Sequence, residues 1–132
     1  MSKKYIKVVG AIIINQNNEI LCALRSEKMS SAGFWEFPGG KIENGESVTE
    51  SIIREIKEEL NCDVLPEEKI FDDYTHEYPH IIVRLITVKC KIISGVPEPL
   101  EHEKLFWANK ENILSLNWLE ADIPTIKKLL NE

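Results

Sequence analysis

Residues 40–62 read GKIENGESVTESIIREIKEELNC, a turn followed by a well-marked helix start and a crowd of glutamates. Ser47 with Glu50 three residues on forms a capping box, in which each side chain satisfies an orphan backbone donor of the other, so a helix is predicted to begin near Val48. Val48, Ile52, Ile53, Ile56 and Leu60 recur at the spacing of one buried stripe. Asn61 then falls where a left-handed cap ends a helix, a conformation that Asn tolerates better than most residues.

On that helix Glu55, Glu58 and Glu59 stand at i, i+3 and i+4 and share a face, with Glu59 beside the apolar stripe. A merely solvated face would place its charges opposite the stripe and alternate their signs. Three like charges within a turn repel by a few tenths of a kcal/mol per pair, which calls for a cation. Clustered carboxylates are hard oxygen ligands suited to Mg²⁺ or Mn²⁺ rather than zinc. The bland alternative is an acidic surface helix, since exposed glutamates are common in helices.

Outward from this stretch, residues 5–14 and 19–25 are rich in β-branched residues and flank Asn15-Gln16-Asn17-Asn18, the pattern of a hairpin with an Asn turn. Residues 26–33 read as a loop, and Pro38-Gly39-Gly40 as punctuation. Further strands are predicted around residues 69–74, 81–93 and 105–108, a short helix over 111–116, and a last helix opened by Asp122-Ile123-Pro124 with Ile123, Ile126, Leu129 and Leu130 facing inward. The order strands, helix, strands, helix predicts an α/β fold, a mixed β-sheet sandwiched between helices.

The chain has 132 residues, 43% of them hydrophobic, which suits a single domain over 1–132. A net charge of −6 argues against binding a nucleic-acid polymer, and an anionic substrate would need a cation as intermediary. Residues 1–9 lack a signal-peptide pattern and no stretch reaches the roughly 18 apolar residues of a membrane helix, so a cytoplasmic protein without a membrane partner is expected. Cys22, Cys62 and Cys90 are odd in number and set among apolar neighbours, which predicts buried reduced thiols. His76 and His80 are four apart but bracket Tyr78-Pro79 with no Glu between them, a poor zinc pair.

Gly40, five residues, Glu46, seven residues, then Arg54-Glu55-Ile56-x-Glu58-Glu59 resembles the box of the Nudix hydrolases, G-x5-E-x7-R-E-U-x-E-E-x-G-U, with U apolar. At this chain's own composition, a chance match at the Gly, Arg and Glu positions is on the order of 10⁻⁷ to 10⁻⁶ per window, so the motif is specific. Its one departure is Asn61 in place of the second Gly. The lead-in EFPGGKIE, a Glu-His pair before a Trp, and an A-D-I-P helix start extend the similarity to the MutT-like branch over nearly the whole chain.

That resemblance implies the Nudix fold and hydrolysis of a nucleoside triphosphate to a monophosphate and pyrophosphate, with Mg²⁺ or Mn²⁺ as cofactor. The substrate class includes oxidised nucleotides such as 8-oxo-dGTP, in the manner of DNA-repair sanitising enzymes, or CTP-type pyrimidine triphosphates. ADP-ribose or dinucleotide cleavage is the alternative reaction. A nucleotide-sensing binding module is the non-enzyme alternative, and the intact charged positions of the box count against it. By the same resemblance the metal ligands are Glu55, Glu58, Glu59, the Gly39 carbonyl and Glu101, chosen over Glu103 by its spacing to Trp107. Arg54 orients the carboxylates, and Glu55 or else Glu58 accepts the proton of the attacking water. Arg25 would face phosphate or sugar, Phe37 and Tyr78 would flank a base, and Asp122 would meet the base edge. Each has a plain structural alternative: an ion pair for Arg25, core packing for the aromatics, and an N-cap for Asp122.

Overall fold

In the computed structural model residues 3–132 are described. The long β-branched run becomes Ile81–Ser94 (β7), the spine of a five-stranded sheet. Lys4–Ile13 (β1) lies parallel to one edge of it, in register from Lys4 opposite Ile81 to Ile13 opposite Cys90. Asp63–Pro66 (β5) and Asp72–Glu77 (β6) follow one another along the other edge, both antiparallel to β7. Gly39–Lys41 (β4) closes the outer edge of β1. A smaller antiparallel sheet has Ile20–Leu24 (β2) between Trp35–Glu36 (β3) and Lys104–Ala108 (β8).

The expected hairpin is only half present. Asn15 builds the turn, its Oδ1 accepting from the N–H groups of Asn17 and Glu19, but beyond an Ile14–Ile20 bridge the two strands part into different sheets. Both edges of β1 are already taken, by β7 and β4, so β2 finds its partners elsewhere. The strand expected at 69–74 lies at 72–77, where pairing with β7 sets the register. The helix expected at 111–116 shrinks to a 3-10 turn, Ile113–Ser115, because the side chains of Asn109 and Asn112 bond nearby backbone N–H groups.

Val48–Leu60 (α1) and Ile123–Leu130 (α2) cover opposite faces. The pleat of β1 sends Val9, Ala11 and Ile13 into one core with Ile52, Ile56 and Leu60 of α1, and Ile12 into another with Ile126 and Leu129 of α2. Each fully buried aliphatic side chain of α1 contributes about 1.5–3 kcal/mol. The mixed sheet between helices is therefore as expected. The three cysteines are free and buried, and burial pushes the Cys22 and Cys90 thiols up to about 12.

The buried stripe of α1 is rotated from the expected one. Ile53 is 42% exposed, whereas Glu59 is only 6% exposed. Ser51, Ile52, Ile56, Glu59 and Leu60 are its buried residues, so the face turned to the sheet is centred near Glu59 and leaves Ile53 on its far side.

Candidate active site

The capping box predicted for α1 is formed on both sides: Ser47 Oγ accepts from the Glu50 N–H and Glu50 Oε1 from the Ser47 N–H. Asn61 ends the helix at φ 53°, ψ 41°, in the left-handed region. A helix so fixed at both ends turns Glu55 and Glu59 toward β4. Room for Glu55 comes from Gly40, and Gly39 lets β4 lie close to β1. A Cβ on Gly40 would collide with the Glu55 carboxylate, and one on Gly39 would strike the Val9 carbonyl of the neighbouring strand. The Gly39 N–H donates to Glu59 Oε1 at 3.2 Å.

Arg54 organises the rest. Its Nε and one terminal nitrogen form a fork on Glu46, at 2.6 and 3.0 Å, while the other terminal nitrogen reaches Glu55 at 2.8 Å and Glu58 at 3.3 Å. The Lys41 carbonyl accepts from the same guanidinium at 3.0 Å, tying α1 to β4. Glu46, also held by Ser51 Oγ and the Glu43 N–H, is thus the bracket that seats Arg54 rather than a dipole-stabilised bystander. That guanidinium, with the neighbouring donors, holds the Glu46 carboxyl down at about 2.

The inner carboxylates are pushed the other way. Burial, then the charges of Glu55, Glu36 and Glu101, raises Glu59 to about 9. Burial also raises Glu55, against the pull of Arg54 and with the push of Glu58 and Glu101. Glu101 arrives on the loop between β7 and β8, where it is exposed. Among the described residues no group of three or more His, Cys, Asp or Glu side chains is arranged to hold a metal ion. Arg54 draws Glu55 and Glu58 toward itself, and the Gly39 N–H claims an oxygen of Glu59. The donor set nevertheless fits a hard divalent cation: all its ligating atoms are oxygen, and its members repel one another with a single guanidinium to offset them.

Beside these glutamates lies a second charged group, assembled from distant segments. Arg25, at the end of β2, donates to Glu36 Oε1 at 2.9 Å and to the carbonyl and hydroxyl of Ser30. The other oxygen of Glu36 lies 2.9 Å from Nε2 of His102, whose side chain is wholly buried. Asp122 is buried too, and its side chain makes no cap bond to α2. Burial and the charge of Glu36 raise its carboxyl well above the usual range, with Phe37 N–H and Arg25 opposing. Tyr78 stands half-buried nearby, its hydroxyl accepting from the Ala121 N–H at 2.9 Å, with the His76 ring edge-on at 4.5 Å. Burial first, then the Asp122 and Glu120 charges, pushes the Tyr78 hydroxyl up.

A family model described as NUDIX domain matches residues 9–128. The chain belongs to the Nudix family. Among relatives of this Nudix chain, the CTP pyrophosphohydrolase of Escherichia coli K12 is 33% identical over 127 residues, covering 96% of this chain and 93% of the relative. The 8-oxo-dGTP diphosphatase of Proteus vulgaris is 34% identical over 104 residues, 79% of this chain and 89% of the relative. A solution structure described as the DNA mismatch repair protein MutT, a Nudix hydrolase of methicillin-resistant Staphylococcus aureus 252, superposes with a TM-score of 0.78. It is 45% identical and covers 98% of each chain.

Of the residues singled out in the sequence of this Nudix domain, Arg54, Glu55, Glu58, Glu59 and Gly39 are drawn together by α1 and β4. Arg25 lies across Glu36 from them, engaged in an ion pair. Phe37 is 3% exposed and packs on Trp118 with ring centroids 5.2 Å apart, so little of its ring is open to a ligand. Glu36 drew no assignment from the sequence and His102 only that of a loop residue at the edge of the site, although both lie inside its quoted motifs, EFPGGKIE and the Glu-His pair. Nothing in their spacing shows that a strand and a remote loop meet.

Proposed function

We propose that this Nudix protein hydrolyses nucleoside triphosphates to a monophosphate and pyrophosphate, using Mg²⁺ or Mn²⁺. The observation that carries the reading is the placement of two glutamates of α1 against β4: Glu59, buried and held by the Gly39 N–H, and Glu55, partly buried, given room by Gly40 and tethered by Arg54. Burying carboxylates is costly, and a fold that does so at one spot gains by offering a cation a preformed seat. Relatives named as CTP pyrophosphohydrolase and 8-oxo-dGTP diphosphatase support the same reaction.

In this reading Glu55, Glu58, Glu59, Glu101 and the Gly39 carbonyl would hold the cation. When bound, the cation neutralises charge on the phosphate oxygens and makes a water more acidic. Glu55, or failing it Glu58, accepts a proton from the attacking water as the water oxygen bonds to phosphorus. The bridging P–O bond breaks, and pyrophosphate leaves with the bonding electrons. Arg54 keeps Glu55 and Glu58 oriented from its seat on Glu46. Arg25, Tyr78 and Asp122 line the side that receives sugar and base, and Phe37 backs it from the core.

The test is a screen of canonical, oxidised and methylated nucleoside triphosphates with Mg²⁺, scored by pyrophosphate release. Turnover of CTP-type or 8-oxo-purine substrates would identify the base. No turnover of any triphosphate would overturn the reading in favour of ADP-ribose, dinucleotide or non-catalytic binding.

A further inference from the structure

Glu101 lies on the loop over residues 95–103, near enough for its charge to act on Glu55 and Glu59, and loops of this kind are mobile unless tied. This one is tied at both ends. At its start the Glu98 N–H donates to the Leu60 carbonyl at 2.8 Å and the Leu100 N–H to the Glu59 carbonyl at 3.2 Å, both at the end of α1. The side-chain amide of Asn61 adds a bond to Glu98 Oε2 at 2.9 Å. At the loop's end the Glu103 N–H donates to the Leu24 carbonyl at 2.9 Å, and His102 reaches Glu36.

The His102 contact is of a different kind from the others. The ring is wholly buried, and its Nδ1 has no hydrogen-bond partner among the described residues, so the bond from Nε2 to Glu36 is the ring's one polar tie. Since a carboxylate only accepts, Nε2 is the donor. Glu36 in turn is fixed by Arg25 on a strand of the smaller sheet. His102 thereby pins the residue next to Glu101 to a rigid element. Asn61 pins Glu98, three residues before Glu101, to the end of α1 with the one group that a glycine at that box position lacks. The left-handed cap would suit either residue, so the amide is a separate asset.

We infer that His102 and Asn61 are positioning residues that hold the 95–103 loop so that Glu101 stays facing the box glutamates. The inference rests on the metal reading given above and is tested without turnover. Mn²⁺ binding to the nucleotide-free protein is measured by electron paramagnetic resonance, with thermal melting as the control for folding.

Glu101→Gln should weaken Mn²⁺ binding. His102→Ala should weaken it roughly 10-fold, as loss of a group that orients a ligand does, and His102→Gln, whose amide replaces the Nε2 donor, should recover most of the loss. Asn61→Gly keeps the cap and the melting temperature but should weaken binding about 2- to 3-fold, the worth of one exposed hydrogen bond. In a Glu101→Gln background His102→Ala and Asn61→Gly should have no further effect, because both act through Glu101. Undiminished effects in that background would overturn the inference. So would full Mn²⁺ affinity in Asn61→Gly and His102→Ala, or in Glu101→Gln itself, while the wild type binds the metal. Failure of the wild type to bind Mn²⁺ would overturn the metal reading, and the inference with it.

Discussion

The two halves of the site are built by opposite means. The glutamate half, Glu101 apart, occupies one helix and the turn before it, and its partners Glu46, Arg54, Glu55 and Glu58 bond one another within a dozen or so residues. The other half joins Arg25 after β2, Glu36 of β3, Tyr78 after β6, His102 of a loop and Asp122 before α2. A local half is fixed by helix geometry and changes little unless its own residues change. A dispersed half can be retuned one segment at a time, which suits a reaction kept constant while the base varies.

That contrast predicts a division of kinetic effects. The largest should come from Glu58→Gln, which leaves the helix in place and lowers kcat by roughly 10³-fold or more, a loss of several kcal/mol of transition-state stabilisation. Near wild-type turnover would remove Glu58 from the metal site. Gly40→Ala should come next. The new methyl displaces the flexible end of Glu55, so kcat should drop about 10- to 100-fold with the melting temperature nearly unchanged. Neither variant should alter the order in which nucleotides are preferred; a reordered substrate profile would break the comparison.

In the dispersed half, Tyr78→Leu should raise KM by about 10-fold and change kcat little, if a base stacks there, since stacking is worth roughly 1–3 kcal/mol. Steady-state kinetics on two different bases would sharpen the point. A kcat loss equal for both would place Tyr78 with the chemistry instead.

The smallest effect concerns stability. Asp122 has a raised carboxyl in the folded state, so the folded protein holds its proton at pH values where the unfolded chain has released it. Stability contributed by this group therefore falls as pH rises above about 4. Asp122→Asn, which resembles the protonated form, should melt roughly 2–5 °C higher at pH 7 and no higher near pH 4. Melting curves at the two pH values check this, and an equal gain at both would show that charge is not the cause.

Much of the glutamate half was legible because its signals are local. The capping box and the left-handed Asn61 follow from side chains three residues apart or from a single backbone preference. Even there one apolar position differs: Ile53 fits the period but lies outside the contact, because α1 meets β4 through Glu59, bonded to the Gly39 N–H, and Glu55, which fills the space left by Gly40. Arg25 and Asp122 were legible as residues of interest but not as neighbours of one carboxylate. Asp122 reads as an N-cap in sequence, yet its side chain makes no cap bond and is buried near Glu36.

By itself, the sequence determined the helix, its caps, the spacing of the four box glutamates and the family they mark, since each depends on contacts within one or two turns. The mixed sheet followed from the order of apolar periods. Tertiary structure alone decided that β1 would pair with β7 and not with β2, because edge occupancy is a property of the assembled sheet. It also decided that Glu36 would join Arg25 to His102. Those three residues are brought within hydrogen-bond reach only by the pairing of β3 and β8 with β2 in the smaller sheet, and no interval along the chain encodes that distance.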